Sequence, residues 1–179
     1  MKNKKKILAI SGSTRSESTN LYLIKAIIHL TNGIFEINLF KDLTKIPHFN
    51  PDLDHEKSPQ EVIAFRNELK QADGILICTP EYAMGVPGTL KNAIDWTVSS
   101  CEFSHKPTAL ITASSVGEKG HASLVETLKI IEAKITEETQ LLISFAKTKI
   151  NNENKIIDPI TANQIKNLIH AFNQLIENS

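Results

Sequence analysis

A polar segment at residues 11–20 carries the side chains best suited to chemistry in this sequence. It contains one of only two arginines in the chain, Arg15, and a dense set of hydroxyl and amide groups, Ser11, Ser13, Thr14, Ser16, Ser18, Thr19 and Asn20. Hydroxyl groups donate hydrogen bonds to phosphate oxygens, and the arginine guanidinium group presents a planar fork of N–H groups that matches them. The segment therefore predicts a phosphate-binding site.

The residues on either side of this segment would position it. Residues 7–10 form a short apolar run that predicts a buried strand, and the apolar residues from Leu21 to Leu30 recur at helical spacing. A helix that starts after a polar loop presents unpaired N–H groups and the positive end of its dipole to an anion. The segment lacks the Gly-Lys-Ser/Thr of a Walker loop and the spaced glycines of a dinucleotide fingerprint. An ordinary helix cap with a solvated arginine remains the alternative at this stage.

The rest of the chain alternates between strand and helix patterns. Strands are predicted at residues 7–10, 35–40, 74–79, 108–112 and 141–145, and helices at residues 21–32, 59–72, 87–98, 121–134 and 161–176. Five such repeats predict an α/β fold with a parallel sheet covered on both faces, most often in the strand order 2-1-3-4-5. No linker or repeat interrupts the pattern, so we expect residues 1–179 to form a single domain.

Two helix starts and one long connection give more local predictions. Ser58 is the predicted cap of the second helix, with Pro59 at its first position and Glu61 closing a capping box. Thr161 is the predicted cap of the last helix. Residues 41–60 form a connection of unusual length, and connections of that length tend to have a function.

Two further polar loops follow strands three and four, at residues 80–88 and 113–120. Ligands of open parallel sheets bind at the carboxyl ends of the strands, beside the point where the strand order reverses. All three loops reach that edge. The pattern therefore predicts an anionic, phosphate-bearing ligand whose body is covered by the second and third loops.

The composition narrows the class of protein. The formal net charge is zero, which gives no indication of nucleic acid or an anionic membrane as a partner. No apolar run approaches the length of a membrane span, and the basic start at residues 1–6 is expected to be a solvated lead-in to the first strand. The two cysteines, of which Cys78 is expected to be a buried thiol, and the six histidines have no metal-binding or redox spacing. We therefore expect a cytoplasmic protein without a metal.

Taken together, the three loops resemble those of the NADPH-dependent FMN reductase family, which includes azo-, quinone- and chromate-reducing flavoproteins. The first loop, Gly12-Ser-Thr-Arg-Ser-Glu-Ser-Thr-Asn20, resembles its phosphate loop. The second, from Thr79-Pro-Glu-Tyr-Ala-Met-Gly-Val-Pro-Gly88 through to Trp96, resembles its most specific signature. The third, Ser114-Ser-Val-Gly-Glu-Lys-Gly120, is similar to its loop beneath the flavin, and Phe49-Asn-Pro-Asp-Leu-Asp54 also fits the family pattern. The resemblance extends to the fourth helix and is weak beyond it.

The resemblance implies a flavodoxin-like three-layer sandwich that binds FMN and takes NADPH or NADH as co-substrate. Its phosphate ligands would be Ser13, Arg15, Ser18 and Asn20. The flavin ring would be lined by backbone groups of Pro80, Glu81, Tyr82 and Ala83, and its pyrimidine side by Ser114, Ser115 and Gly117. Two positions depart from the family, because Ala83 replaces a usual asparagine and His121 stands where a second glycine is common.

The implied activity is oxidoreduction by bound flavin, and no side chain needs to act as a catalytic base or nucleophile. The acceptor stays open among a quinone, an azo compound, a metal oxyanion and a free flavin. A flavodoxin-like electron carrier without enzymatic activity is the alternative, although such carriers are typically acidic, and a binding domain without redox function is a third class. The second loop should expose apolar surface at Tyr82, Met84, Val86 and Pro87. Together with the resemblance, this surface predicts a homodimer or a dimer of dimers, with the helix at residues 87–98 at the contact.

Overall fold

Five β-strands form one sheet at the centre of the protein, in a computed structural model that describes residues 4–179. The strands are β1 (Lys5–Ser11), β2 (Phe35–Phe40), β3 (Gly74–Thr79), β4 (Thr108–Ala113) and β5 (Gln140–Ile143). All neighbouring strands are parallel, and their order is β2-β1-β3-β4-β5. The predicted α/β class, flavodoxin-like architecture and strand order are therefore confirmed. The predicted lead-in lies partly outside the described residues, and its last two residues, Lys5 and Lys6, begin β1.

Five helices cover the two faces of the sheet. They are α1 (Thr19–Leu30), α2 (Gln60–Gln71), α3 (Gly88–Asp95), α4 (Glu118–Ile130) and α5 (Pro159–Glu177). The apolar stripes of α1 and α5 form one core with one face of the sheet, and those of α2, α3 and α4 form the other core. Every residue of β3 and β4 is buried because both strands are covered on both sides. None of the helices in residues 4–179 is long and apolar enough to cross a membrane.

The start of α2 differs from its prediction. The helix begins at Gln60, with Pro59 in an extended conformation as its N-cap, and no side chain caps it. The hydroxyl group of Ser58 instead donates to the carbonyl oxygen of His55 and accepts a hydrogen bond from Arg66. The predicted capping box is therefore wrong, because a tertiary contact occupies the serine that would have formed it.

The limits of α3 and α5 also differ from prediction. Helix α3 ends at Asp95 and does not reach residue 98, because the N–H groups of Thr97 and Val98 donate to carbonyl oxygens three residues earlier instead of four. The carbonyl oxygen of Trp96 accepts a hydrogen bond from Nε of Arg66 at 2.9 Å. Helix α5 starts two residues earlier than predicted. Its cap is Asp158, whose carboxylate accepts hydrogen bonds from the N–H and the hydroxyl group of Thr161 at 2.8 and 2.6 Å. Thr161 is thus a donor to the cap and not the cap itself.

The connection between β2 and α2 is fixed by a buried ion pair. Nη2 of Arg66 lies 2.7 Å from Oδ1 of Asp54, and the two side chains are only 9% and 7% exposed. The Ser99 hydroxyl donates to the other oxygen of the same carboxylate. Further along the connection, Nε1 of Trp96 donates to the carbonyl oxygen of Pro47 at 2.8 Å. These contacts tie the long connection to α2 and to the end of α3.

The environment of Asp54 lowers its pKa. Burial of the carboxyl group acts against ionisation, but hydrogen bonds from Arg66, from the Ser99 hydroxyl and from a backbone N–H outweigh it, so the pKa falls from 3.8 to about 2. The folded protein thus binds the Asp54 proton more weakly than the unfolded chain does. The resulting stabilisation is present above about pH 4 and is lost as the pH falls towards 2.

We expect Asp54→Asn to lower the free energy of unfolding at pH 7 by on the order of 2 kcal/mol, since one pKa unit corresponds to about 1.4 kcal/mol. The difference from the unsubstituted protein should shrink as the pH approaches 2. Urea unfolding of both proteins between pH 2 and pH 7 measures it. Asp52→Asn changes an exposed carboxylate in the same connection and serves as the control. A difference that is independent of pH would contradict the assignment.

Candidate functional site

A cleft of about 630 Å³ lies at the carboxyl edge of the sheet, where the three predicted loops meet. Nine of the eleven predicted site residues line it, namely Ser13, Arg15, Ser18, Asn20, Pro80, Glu81, Tyr82, Ser114 and Ser115. The other two, Ala83 and Gly117, do not line this cleft. The structure therefore brings together residues that are about 100 positions apart in the sequence.

The first loop passes very close to the end of β3. The N–H of Gly12 donates to the carbonyl oxygen of Cys78 at 2.8 Å, and a Cβ atom on Gly12 would lie 2.2 Å from Oγ1 of Thr79. Only glycine fits this approach. It fixes the path of the loop, so that the next residues turn away from the strand and into the cleft.

The start of α1 offers free hydrogen-bond donors to the cleft. Ser18 is the N-cap, in an extended conformation, and its hydroxyl oxygen accepts from the N–H of Leu21 at 3.1 Å. The N–H groups of Thr19 and Asn20 donate to no other group in residues 4–179. Two unpaired N–H groups at a helix start form a site for an anion.

Asn20 connects the first loop to the third. Its Nδ2 atom donates to the carbonyl oxygen of Ala113 at 3.1 Å, and its Oδ1 atom is buried without a hydrogen-bond partner among the described residues. The side chain is almost fully buried although it lines the cleft. A buried acceptor without a partner is costly, so this oxygen is available to a donor group on a ligand.

Two cationic side chains line the cleft, Arg15 and Lys147. Neither forms an ion pair with an acidic side chain of the chain segment 4–179. Arg15 lies in the first loop, where its N–H is 3.4 Å from Oγ of Ser13. Both charges are free to pair with an anionic ligand.

The second loop contains a tight turn in an unusual backbone conformation. Tyr82 and Gly85 exchange two backbone hydrogen bonds of 3.1 and 2.9 Å, and the two central residues, Ala83 and Met84, have φ values of 48° and 61°. Turns of this type favour Asn and Gly, because most other side chains crowd the backbone at positive φ. The asparagine common in the family at position 83 would therefore suit this backbone better than Ala83 does.

The exposure of the second loop only partly follows its prediction. Tyr82 and Met84 are 50% and 75% exposed. Val86 packs against the core and Pro87 is buried, so the exposed apolar surface is smaller than predicted.

The neighbouring thiol of Cys78 is fully buried, and burial raises its pKa well above the ordinary range. It is therefore protonated at neutral pH, as expected of an inert buried cysteine.

The third loop is shorter than predicted because α4 begins at Glu118. Its N-cap, Gly117, has φ of 99°, and a Cβ atom there would lie 2.7 Å from Cδ1 of Leu142. Gly117 thus shapes the loop and does not face the cleft.

His121 lies in the first turn of α4, with Nδ1 2.9 Å from Oγ1 of Thr112. Burial lowers the pKa of His121, although a hydrogen bond with Gln140 acts in the opposite direction.

A fourth wall of the cleft was not predicted from the sequence. It comes from the connection between β5 and α5 and consists of Ala146, Lys147, Ile150, Asn151 and Asn152, with Glu17, Thr19, Tyr22 and Ala113 completing the lining. The N–H groups of Phe145 and Ala146 donate to the carbonyl oxygens of Ser115 and Ser114, both at 3.0 Å. Ligands of open parallel sheets bind at the carboxyl ends of the strands, and β5 is one of these strands. The same reasoning that located the first three loops could therefore have predicted this wall.

Comparisons with known proteins agree with this architecture. Residues 5–148 match the family model described as NADPH-dependent FMN reductase. An NAD(P)H-dependent FMN reductase from Pseudomonas aeruginosa is 34% identical over 93% of this chain and 92% of its own length. A quinone reductase from Escherichia coli is 29% identical over 99% and 98% of the two chains.

Among solved structures, the flavoenzyme NAD(P)H:(acceptor) oxidoreductase from Paracoccus denitrificans superposes with a TM-score of 0.80 and 26% identity. The superposition covers 97% of this chain and 98% of that one. The family model covers β1 to β5 and ends before α5, whereas the relatives extend over nearly the whole length. The chain therefore belongs to the NADPH-dependent FMN reductase family of oxidoreductases.

Proposed function

We propose that this protein binds FMN in the carboxyl-edge cleft and uses NAD(P)H to reduce quinone-type acceptors. Family membership confirms the predicted oxidoreductase class and the predicted use of FMN with NAD(P)H. The quinone acceptor and the roles of the individual residues are the proposal. The single observation that carries it is a cleft with unpaired anion-binding groups whose loops also carry exposed apolar side chains.

The residues of the cleft fit FMN. The free N–H groups of Thr19 and Asn20, the guanidinium group of Arg15 and the Ser13 and Ser18 hydroxyls suit a phosphate group. Pro80, Glu81 and Tyr82 line one part of the remaining cleft, and Ser114 and Ser115 line another. We assign these groups to the flavin ring, with Ala83 and Gly117 shaping the loops that carry them.

The protein's part in the reaction is to bind and to orient. Bound FMN supplies the two-electron chemistry. Arg15 and the helix start neutralise the charge of the phosphate, and the hydroxyl groups fix its position. The buried Oδ1 atom of Asn20 has no partner among the described residues, and we assign it to a hydrogen-bond donor of the ligand outside the phosphate group. We propose that the reaction takes place within a single domain in the cytoplasm.

An apolar rim supports a quinone as the acceptor. We define it as Tyr82, Met84, Val116 and Phe145, which are 50%, 75%, 54% and 66% exposed and lie on the loops after β3, β4 and β5. Flat, uncharged rings bind to such side chains. Phe145 has φ of 55°, which is rare for a bulky residue and common at functional sites. Several relatives are quinone reductases.

A groove between α3 and α4 supports the proposed homodimer. It has a volume of about 650 Å³ and is lined by residues of both helices and of the turns that follow them. Val98 and Ile130, at its border, are 54% and 82% exposed. Apolar side chains with this degree of exposure beside a groove are typical of a surface that another chain covers. The mass measured by light scattering distinguishes a dimer from a dimer of dimers.

Arg15→Ala should weaken FMN binding without unfolding the protein. A charge-assisted hydrogen bond contributes about 1.5–3 kcal/mol, which corresponds to roughly tenfold to a hundredfold in the dissociation constant. Titration of the apoprotein with FMN measures the change. Lys25→Ala, on the exposed side of α1, is the control and should bind FMN normally. Unchanged affinity in Arg15→Ala would mean that the arginine is only solvated.

NADPH should bleach the absorbance of the bound flavin, and a quinone should restore it with steady-state turnover. Phe145→Asn removes the ring and leaves a residue that tolerates positive φ. Losing the contact of one aromatic ring should raise the quinone KM by roughly fivefold, for about 1 kcal/mol of lost apolar contact.

The chromate KM of the same variant serves as the control, because an oxyanion gains little from an aromatic ring. Equal changes for both acceptors would contradict the role of the apolar rim. Negligible reduction of the flavin by NADPH would favour the electron-carrier alternative.

Light scattering should return at least twice the chain mass of 19.9 kDa at micromolar concentration. Ile130→Lys places a charge at the groove and should shift the protein towards the monomer, since burying an unpaired charge is costly. Ile160→Lys, at a residue 72% exposed on α5, should leave the dimer intact. A monomeric unsubstituted protein would refute the proposed assembly.

A further inference from the structure

We propose that Glu81 is a positioning residue, whose carboxylate fastens the second loop to the start of α4 and so sets the distance between two walls of the FMN cleft. The inference rests on the proposed function, because it assumes that FMN occupies the cleft. It assigns a task to the Glu81 side chain in addition to the backbone contact that the family resemblance implies.

The contact is short and charged. Oε2 of Glu81 accepts a hydrogen bond from the N–H of Gly120 at 2.6 Å, and the N–H of Glu81 donates to Oγ of Ser114 at 3.3 Å. Glu81 thus bonds to the third loop through its backbone and to α4 through its side chain. Both Glu81 and Ser114 line the cleft, so the backbone contact joins two of its walls directly, and the carboxylate ties the second loop to the helix that follows the third.

Helix α4 depends on this contact because it has no cap of its own. Its N-cap residue is Gly117, which has no side chain to accept a hydrogen bond. A carboxylate at a helix start satisfies a free N–H group and interacts favourably with the helix dipole. Here that carboxylate is supplied by a loop 39 residues earlier in the chain.

The residue type at position 120 is explained by the same contact. A Cβ atom on Gly120 would lie 3.0 Å from Cγ of Glu81 and 3.1 Å from the carbonyl oxygen of Gly85. Glycine destabilises a helix relative to alanine, so its presence in the first turn of α4 fits a need for close approach. The second loop therefore rests on the helix at the base of its tight turn.

The contact matters for the flavin because Tyr82 follows Glu81 directly. The turn from Tyr82 to Gly85 has two residues at positive φ, a conformation that persists only when its surroundings hold it. Fastening Glu81 to α4 fixes the position at which this turn enters the cleft. Without the carboxylate, the second loop can move away from the third loop, and the space for the flavin ring is no longer defined.

The test compares four variants of the full chain, Glu81→Ala, Glu81→Gln, Gly120→Ala and Asp54→Asn. FMN affinity is measured by titration of the apoprotein, and stability is measured by urea unfolding of the apoprotein. The visible absorption band of the bound flavin is recorded at saturating FMN. Asp54→Asn is the control, because it removes a hydrogen-bonded carboxylate from a connection that does not line the cleft.

We expect Glu81→Ala to weaken FMN binding about tenfold, as for the loss of one charge-assisted hydrogen bond, and to shift the absorption band of the flavin. Glu81→Gln keeps an oxygen acceptor and should recover most of the affinity and the original band. Gly120→Ala should weaken FMN binding to a similar extent, although alanine favours the helix. Asp54→Asn should reduce stability and leave FMN affinity within about twofold.

Three results would overturn the inference. One is wild-type FMN affinity in both Glu81→Ala and Gly120→Ala, and another is Glu81→Gln binding no better than Glu81→Ala. The third is an equal loss of affinity in Asp54→Asn, which would assign the effect to general destabilisation. If Glu81→Ala does not fold, Gly120→Ala decides the question. An unsubstituted protein that binds no FMN would refute the proposed function as well.

Discussion

The parallel sheet is the constraint on which the rest of the structure depends. Every residue of β3 and β4 is buried, so each strand must be followed by a helix that returns across a face of the sheet. All connections from a strand to the next helix consequently leave the same edge. Four of these connections, after β1, β3, β4 and β5, line one cleft. A site built in this way needs no insertion and no second domain.

Close contacts between these connections give the cleft its shape. Gly12 allows the first loop to lie against the end of β3, and Asn20 bonds to the last residue of β4. The third loop accepts hydrogen bonds from Phe145 and Ala146, after β5. Each contact involves a backbone group or a residue whose size is restricted. The anion-binding groups and the apolar rim are thus held by a framework in which small changes of residue volume are costly.

Three of the eight non-glycine residues that have positive φ among residues 4–179 lie at the same edge. Ala83, Met84 and Phe145 all have positive φ without being glycine, and the loops that carry them border the cleft. Such conformations are unfavourable by on the order of 1–3 kcal/mol each and require support from their surroundings. The contact between Glu81 and Gly120 supplies support on one side, and the hydrogen bonds from the β5 connection supply it on the other. The stability of the buried core therefore maintains the exposed, unfavourable loop conformations of the site.

Local patterns in the sequence determined the elements, the strand order and most of the cleft, because apolar periodicity and the carboxyl-edge rule depend on residues close together in the chain. The family resemblance then identified the individual residues, and nine of the eleven line the cleft. Only the tertiary structure decided the caps of α2 and α4, since Ser58 bonds to Arg66 and Gly120 bonds to Glu81. It also decided the wall contributed after β5. These features depend on pairs of groups distant in sequence, and no local spacing specifies which distant partner a polar side chain or N–H group will meet.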